Sequence, residues 1–129
     1  MATKELIIGS ALYEFLGTAG TVPFGYEEVP QGSKPPYGVV MLQTGVNTYT
    51  STSERVFVQY AVKIISNKLF PSEAWQVYGY HGDLLQDANI SFGSLELWRI
   101  RRAFPIQFKD QDRFWHVGHV YDIEVKGDK

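Results

Sequence analysis

The sequence predicts an α+β domain, one antiparallel sheet of about four or five strands with two helices packed on one face. Three observations predict it. The segments Tyr37–Gln43 and Val56–Ile65 are rich in Val, Leu and Ile. In the second of them Val56, Val58, Tyr60, Val62 and Ile64 share one side at the period of two that a strand requires. A helical pattern precedes this pair, another follows it, and two further strand-like runs close the chain. At 129 residues the chain reads as one domain over 1–129, long enough to bury roughly two-thirds of its unfolded surface.

The first helix is expected over Thr3–Leu16. Ile8, Ala11, Leu12, Phe15 and Leu16 fall on one face, Thr3 can cap the start, and Gly17 and Gly20 end it. Residues 21–36 contain Pro23, Pro30, Pro35 and Pro36, each without a backbone donor, and read as irregular. Val22, Phe24 and Tyr26 alternate there and allow a short edge strand. The hairpin follows. Between its arms Thr44–Glu54 is a run of Thr, Ser, Asn and Gly with one aromatic, Tyr49, and reads as a long tip suited to contacts.

A second helix is expected over Glu73–Gln86 with Ser72 as its cap. Ala74, Val77, Tyr78, His81, Leu84 and Leu85 mark its inner face. Gly79 and Gly82 interrupt it at a cost of about 1 kcal/mol each relative to Ala, which suggests another backbone lying close by. Leu95–Phe104 reads as a strand ending near Pro105, and 109–113 as a polar turn. The last strand, Phe114–Val125, places Trp115, Val117, His119, Tyr121, Ile123 and Val125 on one face. His116, Gly118, Val120, Asp122 and Glu124 take the other.

Composition narrows the function classes. There is no cysteine, which excludes disulfides, thiolate catalysis and zinc–thiolate sites. The formal net charge is −2, far from the basic balance of a nucleic-acid-binding surface. No apolar run approaches the roughly 20 residues of a membrane span, and the N-terminus lacks a signal core. A soluble, non-secreted protein without membrane contact is expected. Eight Tyr, eight Phe and three Trp serve a ring-filled core or an interface equally well.

The individual residues make no case for an enzyme, a cofactor or a metal. His116 and His119 have an H-x-x-H spacing, but on a strand an odd separation sends them to opposite faces. His119 is expected to be buried and hydrogen-bonded, His116 to face solvent or an interface, and His81 to lie at a boundary. Asp110 and Asp112 sit in a polar turn beside Lys109 and Arg113. Both should stay ionised with depressed pKa values, which disfavours general acid work. Arg99, Arg101 and Arg102 form the one basic cluster, suited to interface ion pairs or to a solvated edge, and less well to phosphate contact. Ser10 and Ser72 lack triad partners, and 17–20 lacks the lysine of a phosphate loop.

Several segments resemble the tail terminator proteins of long-tailed bacteriophages, also called tail completion or minor capsid proteins. They are Ala11–Leu16 in the opening helix, the Pro-Pro-Tyr-Gly-Val-Val lead-in at Pro35–Val40, and the strand Val58–Val62. The helix opening at Glu73-Ala74, and Arg113-Phe114-Trp115 followed by the alternating strand to Val125, complete the set. The resemblance covers most of the chain. It implies a homohexameric ring at the head-proximal end of the tail tube, assembled in the bacterial host cytoplasm and carried in the virion. Such a ring would stop polymerisation of the major tail tube protein and dock the head-completion protein. DNA would pass through the lumen without specific binding.

On this reading the contact residues are Thr48, Tyr49, Thr50, Glu54 and Arg55 around the tip, with Arg99, Arg101, Arg102, Asp110, Asp112 and Arg113 on the second hairpin. The outer sheet face, with Phe57, Ala61 and Ile65, could supply a further patch. Two other readings stand beside it. One is a stopper or adaptor of the head–tail connector. The other is a small ligand-binding domain or enzyme with an aromatic pocket lined by Trp75, Tyr78, Trp98 and Trp115.

Overall fold

A computed structural model describes residues 4–30, 32, 34–49, 54–86 and 96–127. The elements run α1 (Lys4–Ala19), β1 (Phe24–Tyr26), β2 (Tyr37–Tyr49), β3 (Glu54–Ser66), α2 (Ser72–Gln86), β4 (Glu96–Lys109) and β5 (Trp115–Gly127). They build one sheet in the order β1-β2-β3-β5-β4. Four of its strands pair antiparallel as expected. The short β1 joins β2 in parallel, from Phe24 opposite Gly38 to Tyr26 opposite Val40, so the five-stranded sheet is mixed.

β3 is the centre. Its thirteen residues pair with β5 along the whole length, from Glu54 opposite Gly127 to Ser66 opposite Trp115, and with β2 on the other side. The expected alternation holds. Val58, Tyr60, Val62 and Ile64 are fully buried beneath the helices, together with Val117, Tyr121, Ile123 and Val125 of β5. α1 covers the β1–β2–β3 side with Ile8, Leu12 and Leu16; α2 covers the β3–β5 side with Ala74, Tyr78 and Leu85. On the opposite face Tyr37, Val39 and Ile65 form a smaller cluster with Met41 and Phe114.

Several boundaries differ from the sequence expectation, each for a physical reason. The hairpin has no eleven-residue tip. β2 continues to Tyr49 and β3 begins at Glu54, leaving only 50–53 between them. The register shifts once, between Leu42 and Thr44. That bulge lets β-branched Thr44, Val46 and Thr48 carry the ladder onward. β4 likewise passes through Pro105, opposite His119, and ends at Lys109. Proline is tolerated there because β4 is an edge strand with one side free of ladder partners.

α1 runs through Gly17, and Gly20 closes it by donating its N–H to the Leu16 carbonyl at 2.8 Å. At the start of α2 the Pro71 carbonyl accepts the Trp75 N–H at 3.0 Å, so Pro71 holds the capping position expected of Ser72. Of the two α2 glycines, Gly79 has open space around it. Gly82 is crowded by the Arg102 guanidinium and the Tyr78 ring, so the close neighbour is a side chain, not a backbone.

Both sheet edges are blunted. β4 carries two register shifts and Pro105. On the other side Glu27, at φ 64°, turns the chain away after β1. Its N–H bonds the Val40 carbonyl at 2.8 Å, and its carboxylate accepts the Leu42 N–H at 2.6 Å. Bulges, proline and a capped donor all discourage strand addition by another chain.

The burial pattern makes a direct prediction. Ile64→Ala should cost about 2–5 kcal/mol in urea unfolding, because Ile64 is fully buried. Leu69→Ala, at a side chain 72% exposed, should change stability by less than about 0.5 kcal/mol.

Candidate interaction surfaces

The interior holds a connected polar chain. Arg102, on β4, turns inward and donates from Nε to the Tyr121 hydroxyl at 3.4 Å. The Tyr121 and Tyr78 hydroxyls are hydrogen-bonded to each other. The Tyr78 hydroxyl lies 2.9 Å from His119 Nδ1. A guanidinium can only donate, so Tyr121 accepts from Arg102; one arrangement of the remaining hydrogens runs from Tyr121 to Tyr78 and from Tyr78 to His119. That direction needs an unprotonated Nδ1 on His119. Burial and then the Arg102 charge hold the His119 pKa below its usual value, in agreement. Burial, then Tyr121, raises that of Tyr78.

This chain corrects one expectation and answers another. Arg102, expected at an interface or a solvated edge, is half-buried; it joins β4 to β5 and packs over the Tyr78 ring at 5.8 Å. Among the described residues the expected aromatic pocket is also not assembled. Trp75 meets Tyr78 edge-on at 5.8 Å and bonds Gln107, Tyr78 is in the core, and Trp115 reaches the Leu69 carbonyl at 3.1 Å. The Trp98 side chain lies outside the described residues.

His116 and His119 point to opposite faces, as their spacing on a strand dictates. His116, expected to face solvent or an interface, is instead covered. It stacks on Phe108 with centroids 4.5 Å apart, its Nε2 lies 2.7 Å from Asp110 Oδ2, and its side chain is 12% exposed. The turn itself brings this about: Asp110 Oδ1 accepts the Asp112 and Phe114 N–H groups, both at 2.9 Å, and aims Oδ2 at the imidazole. The His116 bond and the Phe114 N–H hold the Asp110 pKa below the ordinary carboxylate value. Burial outweighs Asp110 at His116, whose pKa is lowered.

His81, expected at a boundary, is fully buried. Its Nδ1 lies 2.8 Å from the Val77 carbonyl, and its Nε2 accepts the Thr21 N–H at 3.0 Å. It ties α2 to the turn after α1, and burial lowers its pKa.

The remaining expected contact residues fall into two groups at opposite ends of the sheet, with two arginines between. Thr48 pairs with Arg55 and Tyr49 with Glu54 at the far end of the first hairpin; Thr50 lies outside the described residues. Asp110, Asp112 and Arg113 form the turn at the other end, with Arg113 at φ 67°. Arg99 pairs with Glu124 along the backbone. Arg101 stays exposed and meets Asp122 across the strands at 3.6 Å, an ion pair of little energetic weight at such exposure. On the outer face Ala61 and Ile65 are buried, while Phe104 and Phe108 are about half exposed.

The structure adds two features that the sequence reading passed over. Leu69 and Phe70, in the link from β3 to α2, are 72% and 68% exposed. Beside them Asn67, Lys68, Leu69, Lys109 and Arg113 line a depression of about 280 Å³. Two large apolar residues directly before Pro71, outside any periodic run, were the available signal. On the far side of the sheet a second depression of about 370 Å³ is lined by Tyr13, Phe24, Tyr26, Glu28 and Val29 among others.

No family model and no curated protein matches the chain. Among solved structures the fold is similar to a chain in the virion of a native gene transfer agent (GTA) particle. The TM-score is 0.66 at 15% identity, covering 98% of this chain and 87% of that one. The likeness is one of fold: a single α+β unit with helices packed on a five-stranded sheet.

The three histidines give a signed pH dependence. Each has a folded pKa lowered by burial, so the unfolded chain binds more protons below about pH 6.5. Stability from the neutral imidazoles is therefore complete above that pH and is lost as pH falls through the lower folded values. Urea unfolding should show a less stable protein at pH 5 than at pH 7. His81→Leu should cost about 1–2 kcal/mol at pH 7 by orphaning the Thr21 N–H, and the gap to wild type should narrow at pH 5.

Proposed function

We propose that the chain is a structural phage protein that acts by association: a ring subunit that caps the head-proximal end of a tail tube. The ring ends polymerisation of the tube protein and presents the surface that meets the head-completion protein. The observation that carries this reading is the fold likeness to a GTA virion chain over 98% of the present sequence. The local segments shared with tail terminators support the finer assignment.

The surface chemistry is compatible. A ring needs two different patches per subunit that close by rotation. The ends of the two hairpins, with Tyr49, Glu54 and Arg55 at one end of the sheet and the exposed Asp112 and Arg113 at the other, are the proposed contacts. A net charge of −2 suits a lumen that lets DNA pass, since a basic lining would hold phosphates. A hexamer, as in tail terminators, is the proposed ring.

Tube growth in vitro tests this. Tail tube protein polymerised with increasing amounts of the chain should give tubes of decreasing mean length, each decorated at one end in electron micrographs. Unchanged length distributions at a several-fold molar excess would remove the capping role, and binding only to purified heads would favour a connector component instead.

A further inference from the structure

The ring reading leaves open how one copy meets the next, and the structure supplies complementary surfaces. Leu69 and Phe70 project as an apolar knob, 72% and 68% exposed. Among the described residues the adjoining depression contributes three cations, Lys68, Lys109 and Arg113, and no acid. Two nearby acids are engaged, Asp110 by His116 and its own turn and Glu73 by the Ser66 hydroxyl at 2.9 Å, while Asp112 of the same turn is exposed.

The groove beside β1 has the opposite character. Tyr13 and Tyr26 meet edge to face at 6.3 Å in its wall. Val29 is 43% exposed at its rim, and Glu28 is the one charged residue among the described residues of its lining. At about 370 Å³ it is roomy enough for an aromatic side chain.

The knob is tied to β5 through the Trp115–Leu69 bond, whereas the groove flanks β1. The strand order places β2 and β3 between them, so a copy's knob does not fill its own groove. Strand addition is a poor alternative, because Pro105 and the bulges blunt β4 while Glu27 caps β2.

We propose that the Leu69–Phe70 knob of one copy docks head to tail in the Tyr13–Tyr26–Glu28 groove of a second copy, with Lys68 and its neighbouring cations facing Glu28. The contact is heterologous, as a closed ring requires. It places a central apolar anchor inside a charged rim, the arrangement that concentrates binding energy in few residues. The proposal rests on the ring reading for its purpose but not for its test.

The experiment uses the full chain and two variants, with mass read by sedimentation. Lys68→Glu/Phe70→Ser breaks the knob and keeps the groove. Glu28→Lys/Val29→Asp breaks the groove and keeps the knob. All four positions are exposed, so both variants should keep the wild-type circular dichroism and melting midpoint. Each alone should be monomeric where wild type assembles, with at least about a 30-fold weaker association. Mixed, they should form a 1:1 dimer through one intact knob and one intact groove, because Phe70→Ser and Val29→Asp remove the apolar anchor from the other pairing even though its charges are reversed to match. As a second arm, Lys68→Glu with Glu28→Lys in one chain should regain part of the lost association.

A monomeric wild type, variants that assemble like wild type, or a mixture that stays monomeric would each overturn the proposal. Variants that self-associate normally but no longer shorten tail tubes would give the knob to the tube protein and overturn it equally. If the mixed dimer forms while wild type fails to shorten tubes, the head-to-tail contact stands and the capping role falls.

Discussion

The structure depends on β3 being paired on both sides and buried on one face. Val58, Tyr60, Val62 and Ile64 are fully buried, and each sits between a β2 neighbour and a β5 neighbour in register. At roughly 1.5–3 kcal/mol for each fully buried aliphatic side chain, this one stripe is a large share of what holds α1 and α2 on the sheet. A one-residue slip of β3 would move the whole stripe to the other face. Everything outside the core is placed by that register, including which hairpin ends lie together and which loops carry exposed groups.

The polar interior follows from the same placement. Tyr121 and His119 alternate with the apolar residues of β5, so they arrive on the helix side, where Tyr78 of α2 meets them. Arg102 completes the chain from β4 and donates into it at Tyr121. The most concentrated cluster of titratable groups in the described core is thus satisfied internally, with its charge at one end and a neutral imidazole at the other. What remains for partners is the surface: the hairpin ends, the outer face with Phe104 and Phe108, and the Leu69–Phe70 knob.

Much of the fold was legible because burial imposed clean periods. The β3 and β5 alternations and the inner faces of both helices are where the sequence places them. Less legible were features set by neighbours that sequence spacing does not name. Thr44–Tyr49 has the composition of a loop, yet a bulge at Gln43 lets it extend the ladder. Pro105 reads as a terminator, yet on an edge strand it interrupts nothing. Arg102 belongs to a three-arginine cluster by sequence, but the register shift just after it accompanies an inward turn that the exposed Arg101 does not share. His81 and His116 read as boundary and surface residues because their partners, Thr21 and Asp110, come from other elements or from a folded-back turn. The knob was missed since its two apolar residues lie between elements, where periodicity has nothing to report.

With Leu69, Phe70, Phe104 and Phe108 exposed, we propose that the protein meets other subunits through its surface. Native mass spectrometry of the purified wild-type chain over a range of micromolar concentrations tests that claim most directly. The account predicts a single closed oligomer, a whole multiple of the chain mass that stays constant once formed. A monomer at every concentration, or an open ladder of ever larger species, would contradict it.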